Sequence, residues 1–142
     1  MIEALPLKQD TYSDAKGYTS MQKKRILVAD DDASFLMALA LRLRKEGFEV
    51  FTAQDSYGAL TKAMKQRPDV IITDINMPGG DGFSIQERLE NLGWHPPPMI
   101  CVTGEQSGYM ENLLWQFEAR HVFYKPLDTQ ELLVTLNDVL TA

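Results

Sequence analysis

The sequence is poor in the residues that commit a chain to many chemistries. It holds one cysteine, Cys101, in 142 residues. A lone thiol forms no internal disulfide, and its place in an apolar run reads as a small buried core residue in a reducing cytosol. There are two histidines, His95 and His121. Neither falls at the carboxyl end of an expected strand, so both read as structural or solvated. Cations are sparse: the formal charge is −6, and the only basic run is Lys23, Lys24 and Arg25. Non-specific nucleic-acid binding, which needs clustered cations against phosphates, is excluded on that ground. The three basic residues read as a soluble lead-in to a strand. No stretch is long and apolar enough to span a membrane, and the first twenty residues lack the apolar segment of a secretory signal. A cytoplasmic location is expected.

What is present is an alternation. The length suits one domain, and there is no internal repeat. Residues 1–22 are polar, without a clean period, and read as an extension or arm. From Lys23 onward, short apolar runs alternate with helical spacing. ILVAD (26–30) reads as a strand buried on both faces. Residues 33–46 place Phe35, Leu36, Leu39, Ala40 and Leu43 on one helical face, with Asp32 or Ser34 as cap and Gly47 as stop. FEVFTA (48–53), DVIITD (69–74), MICVTG (99–104) and HVFYK (121–125) supply four more strands. Helices are expected over 56–66, from a cap at Asp81 to about Asn91, over 107–119, and after a cap at Asp128. Five strands alternating with five helices imply an α/β fold with a parallel sheet covered on both sides.

Ligands of such sheets bind at the carboxyl ends of the strands. The first strand ends in Asp30, Asp31 and Asp32, the third in Asp74, the fourth in Thr103 and the fifth in Lys125. Taken singly, each has a plain reading. Asp32 caps a helix, Asp31 can do the same, Thr103 satisfies a loop amide, and Lys125 sits at a surface strand end. Taken together they place acids, a hydroxyl and an ammonium at four strand ends of one sheet edge. Three facing carboxylates repel by several kcal/mol at low dielectric, and a hard divalent cation relieves that. Oxygen ligands without His or Cys select Mg²⁺ or Mn²⁺. A carboxylate can act as a nucleophile and become an aspartyl-phosphate. The metal, Lys125 and Thr103 would then meet the phosphoryl oxygens.

The motifs ILVADDD (26–32), DVIITDINMPGGDGF (69–83), CVTG (101–104) and YKP (124–126), in this order, resemble the receiver domain of two-component response regulators over about residues 23–142. The resemblance implies a flavodoxin-like (βα)5 sandwich, with a five-stranded sheet of order 2-1-3-4-5. It implies that Asp74 accepts a phosphoryl group from a histidine kinase or phosphotransfer protein in a Mg²⁺-dependent reaction. Asp31 matches the direct metal ligand, Asp30 the one acting largely through water, and Asn76 the ligand through its backbone carbonyl. Thr103 matches the switch hydroxyl and Lys125 the phosphoryl-contacting lysine. The Lys125–Pro126 bond matches a cis peptide. The chain would be no enzyme beyond its own phosphorylation and dephosphorylation. It would signal to a downstream protein through the face of the fourth helix, fifth strand and fifth helix, with Tyr109, Met110 and Trp115 as contributors. No output module is expected after the fifth helix.

Three positions qualify this. The family usually carries Tyr or Phe three residues before the lysine; here that residue is Val122, so altered transmission is expected. Asn76 and Glu105 match positions that flank the path of attacking water, and polar residues there go with short-lived phosphoryl groups in the family, so fast self-dephosphorylation is expected. Two other classes fit less well. A haloacid-dehalogenase-type phosphotransferase wants a second acid two residues past the nucleophile, where Asn76 stands. A flavin module of this fold wants a phosphate-cradling loop after the first strand, where DDDAS (30–34) would repel phosphate.

Overall fold

The computed structural model describes residues 11–13, 19–77, 80–81, 83–104 and 121–142. In chain order these form β1 (Thr11–Ser13), β2 (Thr19–Met21), β3 (Arg25–Ala29), α1 (Ala33–Lys45), β4 (Glu49–Ala53), α2 (Ser56–Gln66) and β5 (Val70–Thr73). Next come β6 (Asn76–Met77), β7 (Gly80–Asp81), α3 (Phe83–Asn91), β8 (Met99–Thr103), β9 (His121–Tyr124) and α4 (Thr129–Thr141). The expected helix over 107–119 lies outside the described residues, with Glu105, Tyr109, Met110 and Trp115. The C-terminal α4 is the helix expected fifth from the sequence.

β4, β3, β5, β8 and β9 form one sheet in that order, every neighbouring pair parallel. Counted along the chain, this is the expected 2-1-3-4-5. Period-two alternation splits the strands between two cores. Ile26, Val28, Val70, Ile72, Ile100 and Val102 meet Leu36, Leu39 and Leu43 of α1 and Leu132 and Leu136 of α4. Leu27, Ala29 and Ile71 meet Ala59 and Ala63 of α2 and Ile85 and Leu89 of α3. Burial on both faces is why these strands read as continuous apolar runs.

Helix ends obey local chemistry. Asp32 Oδ1 accepts the Phe35 N–H at 3.1 Å, and Asp128 Oδ1 accepts that of Glu131 at 3.2 Å, both as expected. Asp55 caps α2 in the same way through Gly58 N–H at 2.6 Å. Gly47, at φ 98°, turns the chain out of α1. The backbone of Asp81 lies in a short antiparallel ladder with Asn76; its expected capping side chain lies outside what is described. β1 and β2 pair antiparallel within the N-terminal extension, which its polar sequence did not suggest.

Arg25 corrects the reading of a soluble lead-in. It opens β3, and its guanidinium donates to the carbonyl of Gln66, to Gln66 Oε1 at 3.1 Å and to Glu49 Oε1 at 3.1 Å. It also lies over the Phe51 ring, 5.2 Å from the centroid. It ties the end of α2 to two strands at the amino edge of the sheet, opposite the acidic edge.

Leu43 is fully buried between α1 and the sheet, at the end of α1 away from Asp32 and the acidic edge. Leu43→Ala is expected to destabilise by about 2–5 kcal/mol, the cost of a buried leucine truncation. Urea unfolding measures this as a lower midpoint with an unchanged slope.

Candidate functional site

Strand register builds the site. β3 and β5 are in register through Ala29 and Thr73, so the next residue on each, Asp30 and Asp74, emerge side by side. The ladder continues past the strands: Asp74 N–H donates to Ala29 O at 2.9 Å, and Asp30 N–H to Ala53 O at 3.0 Å. Thr103 pairs with Tyr124 across β8 and β9, which brings Lys125 up next, its N–H on Thr103 O at 2.9 Å. The Lys125–Pro126 peptide is cis, as the resemblance implied. Alternation sends Asp30, Asp74 and Lys125 towards the α1 side of the sheet, continuing the rows of Val28, Ile72 and Phe123.

Carboxylate oxygens of Asp30, Asp31 and Asp74 lie within 4.8 Å of one another. Lys125 Nζ stands 2.8 Å from Asp30 Oδ2 and 3.6 Å from Asp74 Oδ2. Asp30 is 1% exposed and Asp74 8%, while Asp31 is exposed. Asp74 Oδ1 accepts the N–H groups of Ile75 at 2.6 Å and Asn76 at 3.3 Å, leaving Oδ2 towards Lys125. Asp30 Oδ1 accepts Asp32 N–H at 2.8 Å.

Burial raises the Asp30 carboxyl above its ordinary value, against the pull of the adjacent Lys125 and the Asp32 amide; the Asp74 charge adds to the rise. Burial alone would lower Lys125, but the carboxylates of Asp30 and Asp74 outweigh it and hold the ammonium firmly protonated.

The donor set fits a hard cation. Three carboxylates face one ammonium, every donor is oxygen, and no His or Cys among the described residues belongs to the cluster. Asp30 Oδ2 is buried and accepts no hydrogen bond of ordinary geometry from the described residues; the ion pair with Lys125 compensates it. A divalent ion would satisfy that oxygen and offset the excess negative charge.

The structure thus gathers Asp30, Asp31, Asp74 and Lys125. Thr103 is buried at the end of β8 and tied to the group through its backbone, and Asn76 comes two residues after Asp74, at the start of β6. His95 and His121 lie outside the cluster. Val122 is half-buried in β9, opposite Cys101. Sequence reasoning placed Phe35 only on the core face of α1; its ring also lies 4.3 Å from the Lys125 ammonium.

A doubly covered parallel sheet of this order, with an acidic triad and a lysine at its carboxyl edge, defines the receiver class of flavodoxin-like domains. The model of the response regulator receiver domain matches residues 26–137, and the chain belongs to that family. Members of the family generally bind Mg²⁺ and interact with kinases or phosphotransfer partners. The chain is 43% identical to the transcriptional regulatory protein PrrA of Mycobacterium tuberculosis over 89 residues, covering 63% of this chain and 37% of that protein. The chain therefore spans little more than a third of that relative's length. It is 33% identical to protein PilH of Pseudomonas aeruginosa over 119 residues, 82% of this chain and 97% of that one. Among solved structures it is similar to the chemotaxis response regulator CheY4 of Vibrio cholerae, at 33% identity and TM-score 0.69, covering 84% of this chain and all of that one. A receiver domain from Methanospirillum hungatei aligns at TM-score 0.74 with 28% identity, over 84% of this chain and 95% of that one. No helix among the described residues is long and apolar enough to cross a membrane.

Cys101, fully buried beside this site, has its thiol pushed up to about 12 by burial and by the Asp74 charge. It is expected to resist iodoacetamide at pH 8 in the native protein and to react once urea unfolds the chain, as intact mass would show. The unfolded chain loses this proton first, near its ordinary value of 9.0, and the folded chain only near 12. Folding is therefore progressively disfavoured as pH climbs through that window.

Proposed function

We propose that this receiver domain is a phosphorylation-controlled switch in which Asp74 takes a phosphoryl group from a histidine kinase or phosphotransfer protein. The observation that carries the reading is the pairing of Asp74 with Lys125 and the acidic cluster at one sheet edge. Asp30, Asp31, Asp74 and the backbone carbonyl of Asn76 would hold Mg²⁺, which, when bound, neutralises phosphoryl oxygens.

Oδ2 of Asp74 is the attacking atom, because Oδ1 is already engaged by two amides. Its lone pair forms the new bond to phosphorus as the bond from phosphorus to the donor breaks, and the donor leaves with that electron pair. Lys125 supplies a cation for the charge on the transferring oxygens, and the Thr103 hydroxyl a hydrogen bond. Phosphorylation adds negative charge where Lys125 is already shared with Asp30. Redistribution of that ammonium is the local event, and a downstream protein with different affinity for the two states reads it. The protein catalyses only its own phosphorylation and dephosphorylation, in the cytoplasm.

Incubation with acetyl phosphate and Mg²⁺ is expected to add one phosphoryl mass, seen by intact mass spectrometry. The gain should vanish in Asp74→Ala and with chelator; an undiminished gain in Asp74→Ala would sink the reading.

Val122 stands where the family usually places the ring that swings inward. A β-branched side chain has no such rotamer exchange to offer. Addition of beryllofluoride and Mg²⁺ is accordingly expected to shift amide resonances around Asp74 strongly and those of β9 and α4 weakly. Full-sized shifts on β9 and α4 would refute this.

A further inference from the structure

Lys125 is held from a third direction that the sheet does not supply. Its Nζ lies over the Phe35 ring, 4.3 Å from the centroid, within the range where a ring quadrupole attracts a cation. Phe35 is the third residue of α1. It is half-buried and packs against the core on that side of the sheet. Core packing alone would be served by leucine or methionine, but neither presents a π face.

The backbone that carries the ring is tied to the site. Phe35 N–H donates to Asp32 Oδ1 at 3.1 Å, Asp32 N–H donates to Asp30 Oδ1 at 2.8 Å, and Asp30 Oδ2 meets Lys125 Nζ at 2.8 Å. The path closes through the ring. A helix cap, a metal-site carboxylate, an ammonium and an aromatic face form one circuit, although Phe35 and Lys125 lie in the first and last βα units of the sheet. None of these links uses Asp74 Oδ2.

We propose that Phe35 is a positioning residue for the phosphoryl site. Its ring holds the Lys125 ammonium between Asp30 and Asp74, and restricts where that ammonium goes when the charge on Asp74 changes. Coulomb attraction to two carboxylates has no preferred direction, so the ammonium could settle wholly on Asp30. The ring adds a third attraction without consuming an acceptor oxygen, and shields that side from water. This rests on the reading of Lys125 as the phosphoryl-contacting cation.

Two measurements on the full chain test it. Phe35→Leu is expected to lower the maximal rate of phosphorylation by acetyl phosphate with Mg²⁺ roughly three- to tenfold, the scale of a partly desolvated cation–π contact. The donor concentration at half-maximal rate should stay close to wild type, and Phe35→Tyr, which keeps the ring face, should restore the rate. In the unphosphorylated protein, the ε-methylene protons of Lys125 should be shifted upfield by the ring current in wild type and Phe35→Tyr, and lose that shift in Phe35→Leu. Wild-type rates in Phe35→Leu would overturn the proposal. So would equal losses in both variants when both melt like wild type, or unshifted ε protons in wild type. If the wild-type chain takes up no phosphoryl group, the reading of Asp74 and Lys125 falls instead, and the ε-proton shift still decides whether the ring holds the ammonium.

Discussion

The pairing of Ala29 with Thr73 across the two central strands is the constraint on which the rest depends. It makes Asp30 and Asp74 neighbours at the point where the chain's order in the sheet reverses, with Asp31 one residue on. Like charges so close must be separated by a cation or protonated. The fold supplies a resident cation from the other end of the chain. Asp74 comes directly after β5 and Lys125 directly after β9, two strands away, a span of roughly 10 Å at ordinary strand spacing. A compact ammonium on a flexible stem suits a place shared between two carboxylates better than a planar guanidinium fork.

The charge cost is carried by the two cores. The strands that end in Asp30 and Asp74 are buried along nearly their whole length, and each buried aliphatic side chain contributes about 1.5–3 kcal/mol relative to exposure. The site therefore sits on deeply buried strands, while its clustered carboxylates repel one another. Arg25 serves the opposite edge, joining α2 to β3 and β4 away from the acidic cluster. One edge of the sheet is tied down by Arg25 and the other gathers the acidic cluster and Lys125.

Much of this was legible in the sequence for definite reasons. Strands buried on both faces announce themselves as apolar runs, and VIIT and ICVT gave β5 and β8 within a residue or so. Asp32 and Asp128 were legible as caps because the capping hydrogen bond is local. The acidic triad and Lys125 were legible because the carboxyl edge of a parallel sheet collects the residues just past each strand. Contacts set by tertiary approach were not. Arg25 looked like a solvated basic lead-in until α2 and Phe51 came beside it. The β6–β7 ladder, two residues on each side, has no periodicity to detect. The β1–β2 pairing has polar strands, so no apolar alternation marks it. Phe35 fell on the core face of α1 at ordinary helical spacing, and nothing in that spacing says that an ammonium far along the chain crosses its ring.

If Lys125 contacts the phosphoryl group as proposed, Phe35 and Val122 together bear on how it is coupled to the fold. In the family the aromatic ring near this lysine usually lies on the lysine's own strand, three residues before it. Here that position is a valine packed opposite Cys101, and the ring over the ammonium comes from the start of α1. Because Asp32 both caps α1 and donates its amide to Asp30, the first turn of that helix is joined to the acidic cluster through Asp32. An ammonium drawn towards new charge on Asp74 must either stay over the Phe35 ring or leave it. In the first case the movement is short and the site stays rigid. In the second, the loss of the contact is felt first at the amino end of α1 rather than along β9. Either way, Asp74 faces the α1 side of the sheet, where Leu36, Leu39 and Leu43 pack in the same core as Leu132 and Leu136 of α4.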